Sequence, residues 1–150
     1  MTLRLIIAIV HLLGLGIGLG SIWARYRALR VPLGDAEAIK RVLYADNFWG
    51  LAAMLWIITG VARAFGGLEK GTDYYLNNTL FILKMLALLG IFVLEVAPMV
   101  TFMRWRIQSG RGQTLATERA PLFATISLIQ TGLVVLMVVC AVLMARGVDV

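Results

Sequence analysis

A chain of 150 residues that is 61% apolar and 15% charged, with a formal net charge of +6, lies far from the roughly 45–50% apolar and about 25% charged composition of soluble domains. That composition excludes a soluble catalytic domain, and the basic excess is no nucleic-acid signal, because the lysines and arginines flank apolar runs where anionic headgroups account for them. The lone cysteine, Cys140, excludes an intramolecular disulfide and any cysteine-based zinc or iron–sulfur pattern.

Four apolar stretches, about 3–23, 45–63, 79–102 and 121–145, each approach the roughly 20 residues that cross a hydrocarbon core of about 30 Å as a helix. They predict an all-α fold: one integral membrane four-helix bundle over 1–150. The first follows Arg4 but is longer than the roughly 7–15 residues of a signal-peptide apolar region. It ends in Ser21-Ile22-Trp23-Ala24-Arg25 without a small-residue cleavage site, so it is expected to stay as an uncleaved first helix.

Within that helix, HLLGLGIGLG (residues 11–20) carries the only histidine. At about 100° per residue, His11, Gly14, Gly18 and Ser21 share a face, with Gly16 and Gly20 beside it. Glycines four apart let a second backbone approach closely. An ionisable residue inside a membrane helix faces the bundle interior and counts as a functional candidate. His11 either bridges two helices by hydrogen bonds or ligates iron in a porphyrin, for which Gly14 and Gly18 would leave room.

Val31-Pro32-Leu33-Gly34 breaks the chain, and Asp35 is placed to cap a start at Ala36. The segment Ala36 to Tyr44 is amphipathic and either lies on the membrane surface or leads directly into helix two. Asp46 and Asn47 stand at that helix's entrance. Asp46, Trp49, Ala53, Trp56, Gly60 and Arg63 fall near one stripe. The loop Phe65 to Tyr75 has turn glycines and two interfacial tyrosines and is expected to be ordered.

In the third helix, Lys84 lies about five residues from the helix start, or roughly 7.5 Å, at a depth comparable with His11, and Arg63 ends helix two on the same side. These three basic groups suit an anion, with the two propionates of a haem as candidates, although Lys84 snorkelling and Arg63 anchoring at the interface also account for them. Glu95 follows Lys84 by eleven residues, on nearly the same face but about 16.5 Å further along, so the two do not pair. Lys84, Ala87, Ile91, Glu95 and Met99 are expected to face inward. Glu95 is placed to meet Arg25 or to share a proton with Asp46, making both carboxylates relay candidates. Pro98 removes the hydrogen bond to the Leu94 carbonyl.

Gln108 to Thr114 is polar, glycine-rich and the best candidate for a mobile loop. Pro121 fits the first turn of helix four, which offers Ser127, Gln130 and Thr131 for interhelical hydrogen bonds. Arg25, Arg27, Arg30, Lys40 and Arg41, with Arg104, Arg106, Arg111 and Arg119, concentrate on two loops, which places those loops in the cytoplasm and both termini on the periplasmic side of a bacterial inner membrane.

Ala45-Asp46-Asn47-Phe48-Trp49-Gly50, the stretch Arg63 to Gly71, Lys84-Met85 and Glu95-Val96-Ala97-Pro98-Met99 together resemble the bacterial membrane proteins of DUF2214, over essentially the whole chain. A more distant likeness is to CopD-type membrane proteins and HemJ-type protoporphyrinogen oxidases. The latter likeness implies haem b, with functional positions at His11 and Lys84; further histidines of that family have no counterpart here. The first expectation is therefore a haem b or other tetrapyrrole protein with a redox role, with His11 as axial ligand, Gly14 and Gly18 beside it and Arg63 and Lys84 near the propionates. Two histidine ligands would require a homodimer. The alternatives are an accessory or assembly subunit docking into a larger membrane complex, and a small proton-coupled transporter using Glu95, Asp46 and Lys84.

Overall fold

The computed structural model describes residues 2–66 and 76–148. Among them the chain forms four helices: α1 (Thr2–Leu29), α2 (Ala36–Phe65), α3 (Thr79–Gly110) and α4 (Ala120–Ala145). All four are long and apolar enough to cross a membrane. Helices of 26 to 32 residues span roughly 39–48 Å at 1.5 Å per residue, so their ends project beyond a hydrocarbon core of about 30 Å.

Local chemistry sets the boundaries. The Asp35 carboxylate accepts a hydrogen bond from the Ala38 amide at 2.7 Å, and Asn78 does the same for Phe81 at 3.0 Å, satisfying amides that a helix start leaves open. Pro121 sits in the first turn of α4, where its missing N–H costs nothing. Beyond α3, Gly112 has φ of 65°, a left-handed turn conformation that glycine adopts without strain.

Of the two readings of Ala36 to Tyr44, the structure bears out the second: the segment is the first part of α2. Two other expectations are corrected. Helix α1 runs to Leu29 and α3 to Gly110, so the glycine-rich third loop starts within a helix. Met99, expected inward, is 50% exposed, whereas Pro98 is among the fully buried side chains. The loop expected to be ordered between helices two and three lies, from residue 67 to 75, outside the described residues.

Helix α1 packs on α2 and α4, and α4 packs on α3, while α2 and α3 approach each other least closely. The bundle is thus a ring with three close seams and one wide one, α1 lying diagonal to α3. Apolar side chains cover its outside, Leu86, Val93, Val96, Val135 and Val139 among them. Such a continuous apolar exterior suits lipid and not water. The interior holds three apolar clusters. One, at the end carrying the two basic loops, centres on Phe102, Trp105 and Phe123. A middle cluster centres on Ile22, Trp49, Trp56 and Ile91. The third, at the end carrying both termini, centres on Phe81, Cys140 and Met144. Polar side chains occupy the two levels between these clusters.

Candidate functional site

The level nearer the basic loops is built around Arg25, whose side chain is fully buried. A guanidinium has five N–H donors, and Arg25 places all five. Its Nε donates to Ser127 Oγ at 3.1 Å, Nη1 to Asp46 Oδ1 at 2.8 Å and Glu95 Oε1 at 2.7 Å, and Nη2 to Glu95 Oε2 and Gln130 Oε1, both at 2.8 Å. The rings of Trp49 and Phe102 lie 5.8 and 5.6 Å from its Cζ, within cation–π range.

The acceptors are satisfied in turn. Gln130 Nε2 donates to Glu95 Oε2 at 2.8 Å and to the Ile91 carbonyl at 3.2 Å. Arg106 Nη2 donates to Asp46 Oδ2 at 2.6 Å and Asn47 Oδ1 at 2.8 Å. Two guanidinium groups face two carboxylates, so the level carries no net formal charge, and one residue or more from every helix takes part. The carboxylates are not sealed as Arg25 is: Asp46 and Glu95 retain 11% and 17% of their side-chain exposure. They belong to α2 and α3, which form the wide seam.

The second level is assembled differently. His11 Nδ1 lies 2.7 Å from Thr59 Oγ1. The Thr59 hydroxyl donates to the Leu55 carbonyl of its own helix, as Thr side chains in helices do. Its only proton is thereby used, so Nδ1 carries the proton donated to Thr59. Neutral imidazole then presents Nε2 as an unprotonated acceptor, and Nε2 is not among the enclosed, unpartnered atoms. Arg63 and Lys84 are close enough to interact electrostatically with His11, and Lys84 with Cys140. This level therefore also draws at least one side chain from each helix, and its charged side chains among the described residues are basic. Lys84 is half-buried and takes part in no hydrogen bond or ion pair among the described residues.

The glycine face of α1 meets α2. A Cβ at Gly14 would stand 3.3 Å from Leu55 Cβ and 3.4 Å from Trp56 Cδ1, and one at Gly18 would stand 3.3 Å from Ala52 Cβ. The surface expected to receive a porphyrin is thus the surface on which α2 packs. No group of three or more metal-ligating side chains occurs among the described residues. Haem titrated into the purified protein is expected to give the same absorption spectrum for wild type and His11→Ala; a Soret band present in wild type and lost in the variant would restore His11 as an axial ligand.

The sequence reading brought Arg25, Asp46 and Glu95 together, and His11, Arg63 and Lys84. It missed Arg106, counted only as a loop base, although Arg106 follows Glu95 by the same eleven-residue step that separates Glu95 from Lys84. It also missed the donor on Trp56. That residue is 9% exposed, and its Nε1 is the one buried side-chain polar atom without a hydrogen bond among the described residues. Thr131 bonds its own helix at Ser127 instead of a neighbour.

A family model described as Predicted membrane protein (DUF2214) matches residues 3–149. No curated protein and no solved structure matches the chain.

Proposed function

Because the chain belongs to the DUF2214 family of predicted membrane proteins and stacks two ionisable levels inside its bundle, we propose that it is a small proton-coupled carrier of the bacterial inner membrane. Glu95, with Asp46, takes up the proton. The observation that carries this reading is the contrast in access within one network, where Arg25 is fully enclosed while both carboxylates keep an exposed edge.

Protonating Glu95 removes the negative charge that holds two guanidinium N–H groups and leaves the level with an excess positive charge. Arg25 is on α1 and Glu95 on α3, so the tie that weakens crosses the centre of the bundle. Ionisable groups inside membranes commonly mark such proton relays, and a charge change at a shared contact is how a local event biases a packed element.

Infrared difference spectra between neutral and acidic pH test the proposal. A protonated-carboxyl band is expected in wild type and should lose the contribution of one carboxyl in Glu95→Gln, the other carboxyls contributing equally to both. In liposomes holding a pH-sensitive dye, that variant should also lose proton-driven exchange. An identical band in wild type and Glu95→Gln would overturn the assignment.

A further inference from the structure

The level containing His11 and Lys84 differs from the Arg25 level in one respect that matters for binding: among the described residues, two of its donors, Lys84 Nζ and Trp56 Nε1, are not used up. Lys84 brings an ammonium group that no carboxylate meets among the described residues. Trp56 brings a buried indole N–H without an acceptor, and a donor taken out of water without a partner bears an uncompensated desolvation cost that a bound acceptor would relieve. The orientation of that indole is informative. Its Cδ1 and Nε1 lie beside Gly14, at 3.4 and 3.8 Å from a Cβ built there, while its Cη2 lies beside Gly18. Gly14 is three residues from His11 and Gly18 seven, so the N–H edge is the edge turned towards the histidine. The two rings are 6.4 Å apart, centre to centre.

We infer that Lys84, Trp56 and His11 form a binding site for a phosphate monoester or inorganic phosphate, in the half of the bundle that carries the termini. Lys84 supplies the charge and Trp56 Nε1 a fixed donor, both to phosphate oxygens. His11 supplies what a purely cationic site lacks: with its proton committed to Thr59, Nε2 accepts the O–H of the monoprotonated phosphate. Arg63 adds positive potential at the same level. Two donors and one acceptor match hydrogen phosphate, which offers both kinds of partner, and mismatch sulfate, which at neutral pH has no proton to give. The site does not require proton coupling by Glu95.

The test uses the full chain in phosphatidylcholine nanodiscs titrated with inorganic phosphate and, separately, with sulfate, followed by calorimetry. A second set of nanodiscs contains phosphatidic acid, whose headgroup is a phosphate monoester. Saturable phosphate binding is expected, at least about tenfold weaker in Lys84→Met, as for loss of a charge-assisted hydrogen bond, and partly restored in Lys84→Arg. Trp56→Phe keeps an aromatic side chain but loses the N–H with the five-membered part of the indole, and leaves Lys84 in place, so it should weaken binding even if Lys84→Met fails to fold. If phosphatidic acid occupies the site and free phosphate does not, the same chemistry is supplied by a lipid headgroup. The inference is overturned if neither probe binds saturably, if sulfate binds as tightly as phosphate, or if Lys84→Met and Trp56→Phe bind as wild type does.

Discussion

Arg25→Met is expected to destabilise the folded bundle by roughly 3–5 kcal/mol, the usual result of removing one partner from a buried ion pair. Methionine fills much of the arginine volume between Trp49 and Phe102 but leaves Glu95 and Asp46 facing each other's charge without the guanidinium that separates them. The cost lies mainly in the stranded carboxylates, so the triple variant Arg25→Met, Asp46→Asn, Glu95→Gln should recover most of it. Arg106→Met provides the contrast. Arg106 also bonds Asp46, but its side chain is 36% exposed, and an exposed pair contributes only about 0–1 kcal/mol. Thermal unfolding in detergent reads all three. Equal midpoints for Arg25→Met and wild type would mean that the network does not hold the helices.

Gly18→Leu is expected to force α1 away from α2. A Cβ alone at this position already stands 3.3 Å from Ala52 Cβ and 3.7 Å from Trp49 Cζ3, and three further carbons have nowhere to go between two rigid backbones. Overpacking of this kind costs about 1–3 kcal/mol. Separating the helices would also draw His11 from Thr59, which is bonded across the same seam. Gly16→Leu and Gly20→Leu make the internal control, because a Cβ at either meets nothing within 4 Å. Those two should unfold within about 0.5 kcal/mol of wild type, as substitutions away from packed sites do. Equal losses at Gly16 and Gly18 would refute the packing of α1 described above.

The four spans were legible because hydropathy over about 20 residues needs no knowledge of what packs where. The inward face of α1 was legible too: His11, Gly14, Gly18 and Ser21 follow from helical geometry alone. Arg25 was brought to Glu95 by the sequence, but as a residue beyond the helix, because a hydropathy reading ends a span at its first charge. The backbone has no such reason to stop. Helix α1 continues to Leu29, since the charge of Arg25 is neutralised by residues 21 and 70 positions away, a fact no local window contains. The misplacement of Met99 has a local cause. At 100° per residue, the buried Ala87, Ile91, Pro98, Phe102 and Trp105 centre roughly 55° to one side of Glu95, and Met99 lies about 40° to the other. Glu95 is therefore on the rim of the inward face, which is why its carboxylate keeps an exposed edge. The Trp56 donor had no signal in the sequence, because whether an indole N–H finds a partner depends on the other helices.

The wide seam gives the bundle a mechanical character. Three of its four sides are closed by backbones lying against one another, and the fourth, between α2 and α3, carries the Arg106 bridge to Asp46 and Asn47. A ring built this way resembles a bracelet with a clasp, its least closely joined side lying between α2 and α3. The side chain that reaches across that side, Arg106, stands at the end of the bundle from which the basic loops emerge.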